Sequence, residues 1–446
     1  MVSRSNFVFF FLIVVSFQYF PQEVSRDSSG KNAYFTVPEF WSQMNDIFND
    51  PNFSSAQWGV VIQSLETGEY LYKRDEDKLL IPASNLKLFT TAAGLITLGS
   101  DYRFKTNIYM NGFIDGSILK GDIVIQGKGD PTISERFYNG NMLKVYEDWA
   151  DSLLNTGIDE ITGNIVGDDN AFDDIGLGAG WAWDYESSWF AAPSSAISFN
   201  DNCVDIIVTV NKKTHMPEVS IAPDTKYVII LNKTVTVPKD SITSIETYRE
   251  PGTNVISVYG TVRDNSDSVK TYVTVNNPTQ YAMVVLKDVL KRKGIIIDGY
   301  PIDVNDMTST PDYSKLKLLF TQYSPQLKEI IKVTNKQSQN LYAEQLLKTI
   351  GLELKGYGTI ANGINVEEKV LREMGINPES MNIVDGSGLS RLDLVTPRQI
   401  VALLNYMYKS RHFIPFFNSL PIAGVDGTLG DRMQNTKAQG KIRAKP

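Results

Sequence analysis

Residues 81–93 read Ile81-Pro82-Ala83-Ser84-Asn85-Leu86-Lys87-Leu88-Phe89-Thr90-Thr91-Ala92-Ala93, and the rest of the chain is organised around what this stretch can do. A proline opens a helical pattern, and Ser84 and Lys87 fall on one face of it. Leu86, Phe89, Ala93 and Leu95 lie close to helical spacing, which predicts a helix running through a core with the Ser-x-x-Lys tetrad at one end, facing a cleft. A serine hydroxyl is a poor nucleophile until a neighbouring base takes its proton. A lysine is that base only when burial or nearby cations have deprotonated its ammonium. The same tetrad also occurs at residues 28–31 and 314–317, and Ser84 alone reads equally well as a helix N-cap. Spacing leaves catalysis and capping both open; context decides.

With 446 residues, 42% of them apolar and 21% charged, the chain exceeds one ordinary core and reads as globular, with about two or three domains. A net charge of −8 without a long basic run gives no electrostatic footprint for a nucleic-acid partner, so small molecules or neutral polymers fit better. The single cysteine, Cys203, precludes an intramolecular disulfide. His215 sits in a polar turn and His412 beyond a helix, and both read as surface residues. That leaves little material for a metal cluster or a Ser-His-Asp triad. A serine hydrolase built from this composition needs lysine as its base.

The first residues, Met1-Val2-Ser3-Arg4-Ser5-Asn6, carry one positive charge ahead of an apolar run over 7–17 that is short for a bilayer span. This is a signal peptide's anatomy, placed at 1–24, with cleavage between 18 and 30; an uncleaved anchor is the alternative. Strand, turn and strand follow between 58 and 72, a hairpin leading directly into the Ser84 helix. From about 105 to 285 the texture changes to short β-like segments separated by Gly, Asp and Asn, read as one or two β-rich modules. Trp181, Trp183 and Trp189 cluster there with Asp184 among them, either as aromatic packing or as a recognition wall beside a carboxylate. Helices are expected over 280–293 and 325–333, and then a polar turn carries Lys336, Ser338 and Asn340 between two amphipathic helices. Asp385-Gly386-Ser387-Gly388-Leu389-Ser390-Arg391 makes a glycine-rich turn, and a helix opened by Pro397 runs to about 408.

Taken together, Ser84-Asn85-Leu86-Lys87, Ser338-Gln339-Asn340-Leu341-Tyr342-Ala343-Glu344 and the glycine-rich turn resemble, in order and spacing, a known family. It is the penicillin-binding D-alanyl-D-alanine carboxypeptidase/endopeptidase family of the class C low-molecular-mass type. The likeness covers almost the whole chain after the signal. It implies an α+β fold: a penicillin-recognising serine DD-peptidase/β-lactamase-like core, with an antiparallel five-stranded sheet between helical layers, interrupted by inserted β-rich domains. The plan it implies is a first core segment at 31–104, inserted domain II at 105–190 and 278–309, inserted domain III at 191–277, and a second core segment at 310–446.

The resemblance also implies roles. Ser84 would be acylated by the penultimate D-alanine carbonyl of a peptidoglycan stem peptide and released by water, with Lys87 as its base. Ser338 would relay a proton to the leaving amine, Asn340 would hold the substrate amide, and the Ser84 N–H would form half of an oxyanion hole. Trp181, Asp184 and Arg391 would line the pocket for the far end of the stem peptide, where a diaminopimelate side chain offers an amine to Asp184 and a carboxylate to Arg391. No metal or cofactor is implied, and β-lactam antibiotics would act as inhibitors. The location implied is exported, periplasmic or cell-envelope, with loose membrane association as a further expectation.

One departure stands out. Arg443-Ala444-Lys445 looks like the approach to the family's Lys-Thr-Gly strand, with Lys445 as its lysine, but Pro446 takes the threonine's place. The expectation is a form truncated at the third motif, without the C-terminal strands and impaired in activity. A β-lactamase sharing the tetrad, and a degenerate non-catalytic wall-binding protein, are the competing readings.

Overall fold

The computed structural model describes residues 37–446; the signal segment at 1–24 and the tetrad at 28–31 lie outside them. Pro82 sits at the mouth of a short 3-10 turn, Ala83–Leu86, which tightens into the α-helix Lys87–Thr97. That helix is apolar on nearly every side, and Leu86, Leu88, Phe89, Ala92, Ala93 and Leu95 are all buried. A helix with no polar face is stable only when surrounded. The helices Leu327–Lys336, Asn340–Lys355, Ile360–Glu373 and Phe413–Ser419 pack around it. Gly94 sets the closest approach: a Cβ there would lie 2.9 Å from Leu346 Cδ2, so a larger residue would push the Asn340–Lys355 helix away.

The expected hairpin is present, with Val60–Gln63 antiparallel to Tyr70–Arg74 and Ile62 opposite Tyr72. Among the described residues these two strands are what forms the core's sheet. The helix Val37–Phe48 lies over it, stacking Phe48 on Tyr72, whose hydroxyl donates to Asn45 Oδ1 at 2.8 Å.

After Thr97 the chain leaves the helical layer and builds a seven-stranded sheet. Ile118–Gln126 lies inside it, antiparallel to Lys105–Asp115 and parallel to Ile165–Asp168. Ile123, Val124 and Ile125 are all buried, as a strand covered on both faces requires. Lys317–Tyr323, which starts beyond residue 310, pairs with Lys105–Asp115 at the edge of this same sheet. The helices Lys144–Asn155 and Pro278–Arg292 supply Trp149, Leu153, Met283 and Leu286 to its core. Two three-stranded sheets follow in the middle of the chain, one around Val255–Arg263 and one around Cys203–Val210.

The tetrad at 314–317 is a turn: Ser314 donates to Asp312 Oδ1 at 2.7 Å, and Lys317 begins an exposed strand end. His215 is on the surface, paired with Asp264 at 2.6 Å. His412 is not, because it ends up buried where the chain turns into Phe413–Ser419. Its polar flanks Ser410 and Arg411 suggested a surface position, but Arg411 Nε donates to its ring at 3.1 Å and covers it.

Candidate active site

The turn that presents Ser84 is held in an unusual backbone state. Ala83 has φ 47°, a left-handed conformation that costs a non-glycine residue about 1–3 kcal/mol unless its surroundings impose it. The glycine-rich turn imposes it here. A Cβ on Gly388 would fall 1.8 Å from the Ala83 carbonyl oxygen, so only glycine lets that turn close over the residue before Ser84. About two helical turns later, Thr90 donates to the Gly386 carbonyl at 2.7 Å and ties the same two segments together.

Lys87 is fully buried, and its Nζ donates to Ser84 Oγ at 3.0 Å, Asn340 Oδ1 at 2.6 Å and the Ser387 carbonyl at 2.7 Å. Burial pulls it down to about 8 from the ordinary lysine range, against the opposing fields of Asp385, Glu344 and Asp393. A neutral amine at this position keeps two N–H donors and turns a lone pair to whichever partner carries a proton. Among its partners, that is the Ser84 hydroxyl.

On the other side of Ser84, Ser338 donates to Ser84 Oγ at 2.8 Å, and Lys445 Nζ donates to Ser338 Oγ at 2.8 Å. Ser338 also has a left-handed backbone, φ 57°, in the short link between Leu327–Lys336 and Asn340–Lys355. Burial, and then the neighbouring Lys87, hold Lys445 well below its usual range. The result is a hydrogen-bonded line from Lys445 through Ser338 and Ser84 to Lys87, with an amine at each end. Asn340 closes the cleft by donating its amide to the Phe190 carbonyl at 2.6 Å, across to the tryptophan-rich segment.

The residues expected to hold substrate fall into two groups. Asp184 and Arg391 are both exposed, and Arg391 Nη2 reaches Tyr185 Oη at 3.2 Å, which brings it to the Trp183–Tyr185 turn that carries Asp184. Trp181 is partly buried, and its indole N–H is engaged inward, on Asp385 Oδ2 at 2.9 Å. Sequence reasoning missed the groups that stand behind the base: Asp385, Glu344, Asp393, Glu367 and the carbonyls of Ser387 and Phe190. Asp385 opens the glycine-rich turn and was findable from that position; the carbonyls carry no sequence signal at all.

Burial pushes Glu344 up to about 8 and Asp393 up to about 9, each raised next by Asp385. Glu367 is pushed up to about 8 in the same way, with Glu344 the next cause, and neither of its oxygens has a hydrogen-bond partner. A carboxyl raised on folding binds a proton that the unfolded chain releases, so its cost grows from the unfolded value near 4.5 up to the folded one near 8. Glu367→Gln is therefore expected to stabilise the protein by on the order of 3 kcal/mol at neutral pH and to have little effect below about pH 4. Urea melts of both proteins at pH 4 and pH 7.5 check this; a gain that is the same at both values contradicts it.

Among the described residues no group of three or more His, Cys, Asp or Glu side chains is arranged to hold a metal ion. No helix among them is long and apolar enough to cross a membrane.

Comparison with known proteins adds the following. A family model described as the D-Ala-D-Ala carboxypeptidase 3 (S13) family matches residues 41–446. A D-alanyl-D-alanine carboxypeptidase from Actinomadura sp. strain R39 is 31% identical over 430 residues, spanning 94% of this chain and 77% of that one. The penicillin-sensitive carboxypeptidase A of Dictyostelium discoideum is 28% identical over 440 residues, 90% of this chain and 80% of the relative. In fold, the chain superposes on penicillin-binding protein 4 (dacB) from Haemophilus influenzae with a TM-score of 0.74 at 23% identity, covering 87% of this chain and 83% of that one. The same Haemophilus protein has also been solved in complex with a β-lactam, where the TM-score is 0.70.

Proposed function

Because the chain belongs to the D-Ala-D-Ala carboxypeptidase 3 (S13) family, a family of serine-type peptidases, we propose that Ser84 is the nucleophile and Lys87 its base. The observation that carries this reading is a single one. Ser84 Oγ lies between a fully buried lysine amine at 3.0 Å and a second serine hydroxyl at 2.8 Å.

The reaction follows from those contacts. Neutral Lys87 takes the Ser84 proton as Oγ adds to the carbonyl of the penultimate D-alanine, forming the C–O bond. The C–N bond to the terminal D-alanine then breaks as its nitrogen takes up the proton that Lys87 had accepted, relayed by the Ser338 hydroxyl, which Lys445 touches at 2.8 Å, and Lys87 is left neutral. An ester to Ser84 remains. Water attacks it, Lys87 again accepts a proton, and Ser84 regains its own. Asn340, braced by Phe190 and Lys87, is placed to hold the substrate amide. A β-lactam enters the same step, its strained amide opening onto Ser84 to leave an ester.

The substrate we infer is a peptidoglycan stem peptide, with endopeptidase cleavage of cross-linked peptides a second use of the same site. The chain is inferred to be exported to the periplasm or cell envelope. Release of D-alanine from an acyl-D-Ala-D-Ala peptide, blocked by prior exposure to penicillin, is the test; a protein that binds the peptide without releasing D-alanine contradicts the reading. A β-lactamase and a non-catalytic wall-binding protein are not favoured, since the matched relatives carry carboxypeptidase names and the nucleophile is bonded on both sides.

Substrate choice supplies a further expectation. Asp184 and Arg391 flank Tyr185 with opposite charges, which suits a stem-peptide end bearing an ammonium and a carboxylate. Arg391→Ala and Asp184→Asn should each lower kcat/KM for a peptide with a free diaminopimelate end by about 10-fold, through loss of a charge-assisted contact, and spare a short acyl-D-Ala-D-Ala. Equal losses on both peptides would place these residues in the fold instead.

A further inference from the structure

Lys87 is backed by a layer of carboxyl groups for which the reaction above has no use. Glu344 comes from the Asn340–Lys355 helix, Glu367 from Ile360–Glu373, and Asp385 and Asp393 from the two sides of the glycine-rich turn, all with at most 2% of their surface exposed. Lys87 feels Asp385, Glu344 and Asp393 from this side; on the other side stands Lys445, next to Ser338, itself held well below the usual lysine range by burial and then by Lys87. One lysine does not compensate so many buried anions, so protons are held within the layer.

The hydrogen-bond donors say where. Asp385 Oδ1 accepts the N–H groups of Ser387 at 3.1 Å and Gly388 at 2.7 Å, and its Oδ2 accepts those of Ser390 at 2.8 Å and Trp181 at 2.9 Å. A carboxyl with donors on every side is held as the anion. Asp393 accepts only the Val384 N–H, at 2.8 Å, and its other oxygen meets no N–H or O–H donor. Burial, and then the charge of Asp385, raise that carboxyl. Glu367 receives no donor at all, and Glu344 has the Ser387 hydroxyl and one backbone N–H, that of Gly386, shared between its two oxygens at 3.1 and 3.0 Å, fewer donors than Asp385.

We propose that Asp385 is the one fixed anion behind Lys87 and a positioning residue for it, while Glu344, Asp393 and Glu367 stay protonated. Asp385 acts through the turn it organises: it orders the Ser387 peptide, whose carbonyl accepts from Lys87 Nζ at 2.7 Å, and Trp181 clamps it from the inserted segment. With one anion behind it, Lys87 gives up its proton near neutral pH. Facing every carboxyl ionised, it would stay an ammonium and Ser84 would have no base. The inference rests on Lys87 being that base.

The test is the pH dependence of penicillin acylation in the whole protein, measured for isosteric variants. Glu344→Gln and Asp393→Asn, which imitate the protonated groups, should acylate within about threefold of the native rate and leave the acid limb of the profile in place. Asp385→Asn should move that limb down by about one pH unit or more and lower the plateau by about 10–100-fold, because an anion and an acceptor are both lost. Infrared difference spectra supply a readout independent of activity. At neutral pH the protonated-carboxyl stretching band should weaken in Glu344→Gln and in Asp393→Asn and persist in Asp385→Asn. If Glu344→Gln or Asp393→Asn shifts the limb as far as Asp385→Asn, or the infrared band is absent from the native protein, the proposal is wrong. Should Asp385→Asn not fold, the infrared comparison of the other two variants decides it alone. A native profile with no limb that depends on Lys87 would instead overturn the role of Lys87 itself, so the two failures are distinguishable.

Discussion

Ser84→Ala is expected to lower D-alanine release, and acylation by penicillin, by at least about 10⁴-fold, the scale seen when a covalent nucleophile is removed from a working serine site. The size follows from chemistry that has no substitute nearby. Ser338, the other hydroxyl in the line, is joined to Lys445 and reaches the base only through Ser84 Oγ. Its left-handed backbone, φ 57°, keeps it in the link between two helices, off the turn that Ala83 and Gly388 shape around Ser84. Stability should change little. Removing one hydroxyl leaves Lys87 with its bonds to Asn340 and Ser387, and alanine is a good residue in a helical turn. A circular-dichroism melt within a few degrees of the native protein, together with lost turnover, is the expected pair of results. Residual turnover above about 1% of native would assign the nucleophile elsewhere.

Lys87→Met carries the second largest effect, a fall of about 10²–10⁴-fold in acylation, which is what general-base assistance is worth. Methionine fills most of the volume, so the loss reports the amine more than a cavity. The pH profile shows the cause. Lys87 is pulled down to about 8 because burial outweighs the attraction of the carboxyl layer behind it, Asp385 first. Below that value it keeps its proton and has no lone pair for Ser84; above it the amine is free. Acylation in the native protein should therefore rise with pH through about 8 and then level, and this limb should vanish in Lys87→Met. Lys317→Met is the control, since its tetrad partner Ser314 is turned toward Asp312. Equal losses at Lys87 and Lys317 would mean that burial of the first has no bearing on the chemistry.

Much of this was legible in the sequence wherever one residue type does one job. The apolar run after Pro82 forced a buried helix, and the polar turn expected around Ser338 is there between two packed helices, though it is only the link 337–339, with Lys336 ending one helix and Asn340 opening the next. The hairpin at Val60–Gln63 and Tyr70–Arg74 followed from alternation around a glycine turn. The helix Lys144–Asn155 was not anticipated, because its buried stripe of Val145, Tyr146, Trp149, Ala150 and Leu153 sits inside a region dominated by strands. Ile360–Glu373 was missed for a similar reason, with Glu367 on its buried face disguising the stripe.

At the site, the side chains in line with Ser84 could be named, but the layer behind them could not. Buried carboxyls read in sequence as surface residues, since Asp and Glu are rarely buried. Trp181 shows the limit most clearly: its N–H donates to Asp385, and only the tertiary fold brings residues 181 and 385 together.

The most direct measurement of the central claim is the position of a penicillin adduct. The protein is incubated with a β-lactam, digested, and its peptides sequenced by mass spectrometry. The account predicts a single added acyl mass on the peptide containing Ser84-Asn85-Leu86-Lys87, absent from Ser84→Ala and strongly reduced in Lys87→Met. An adduct on Ser338, Ser387 or any other serine, with Ser84 unmodified, would contradict it.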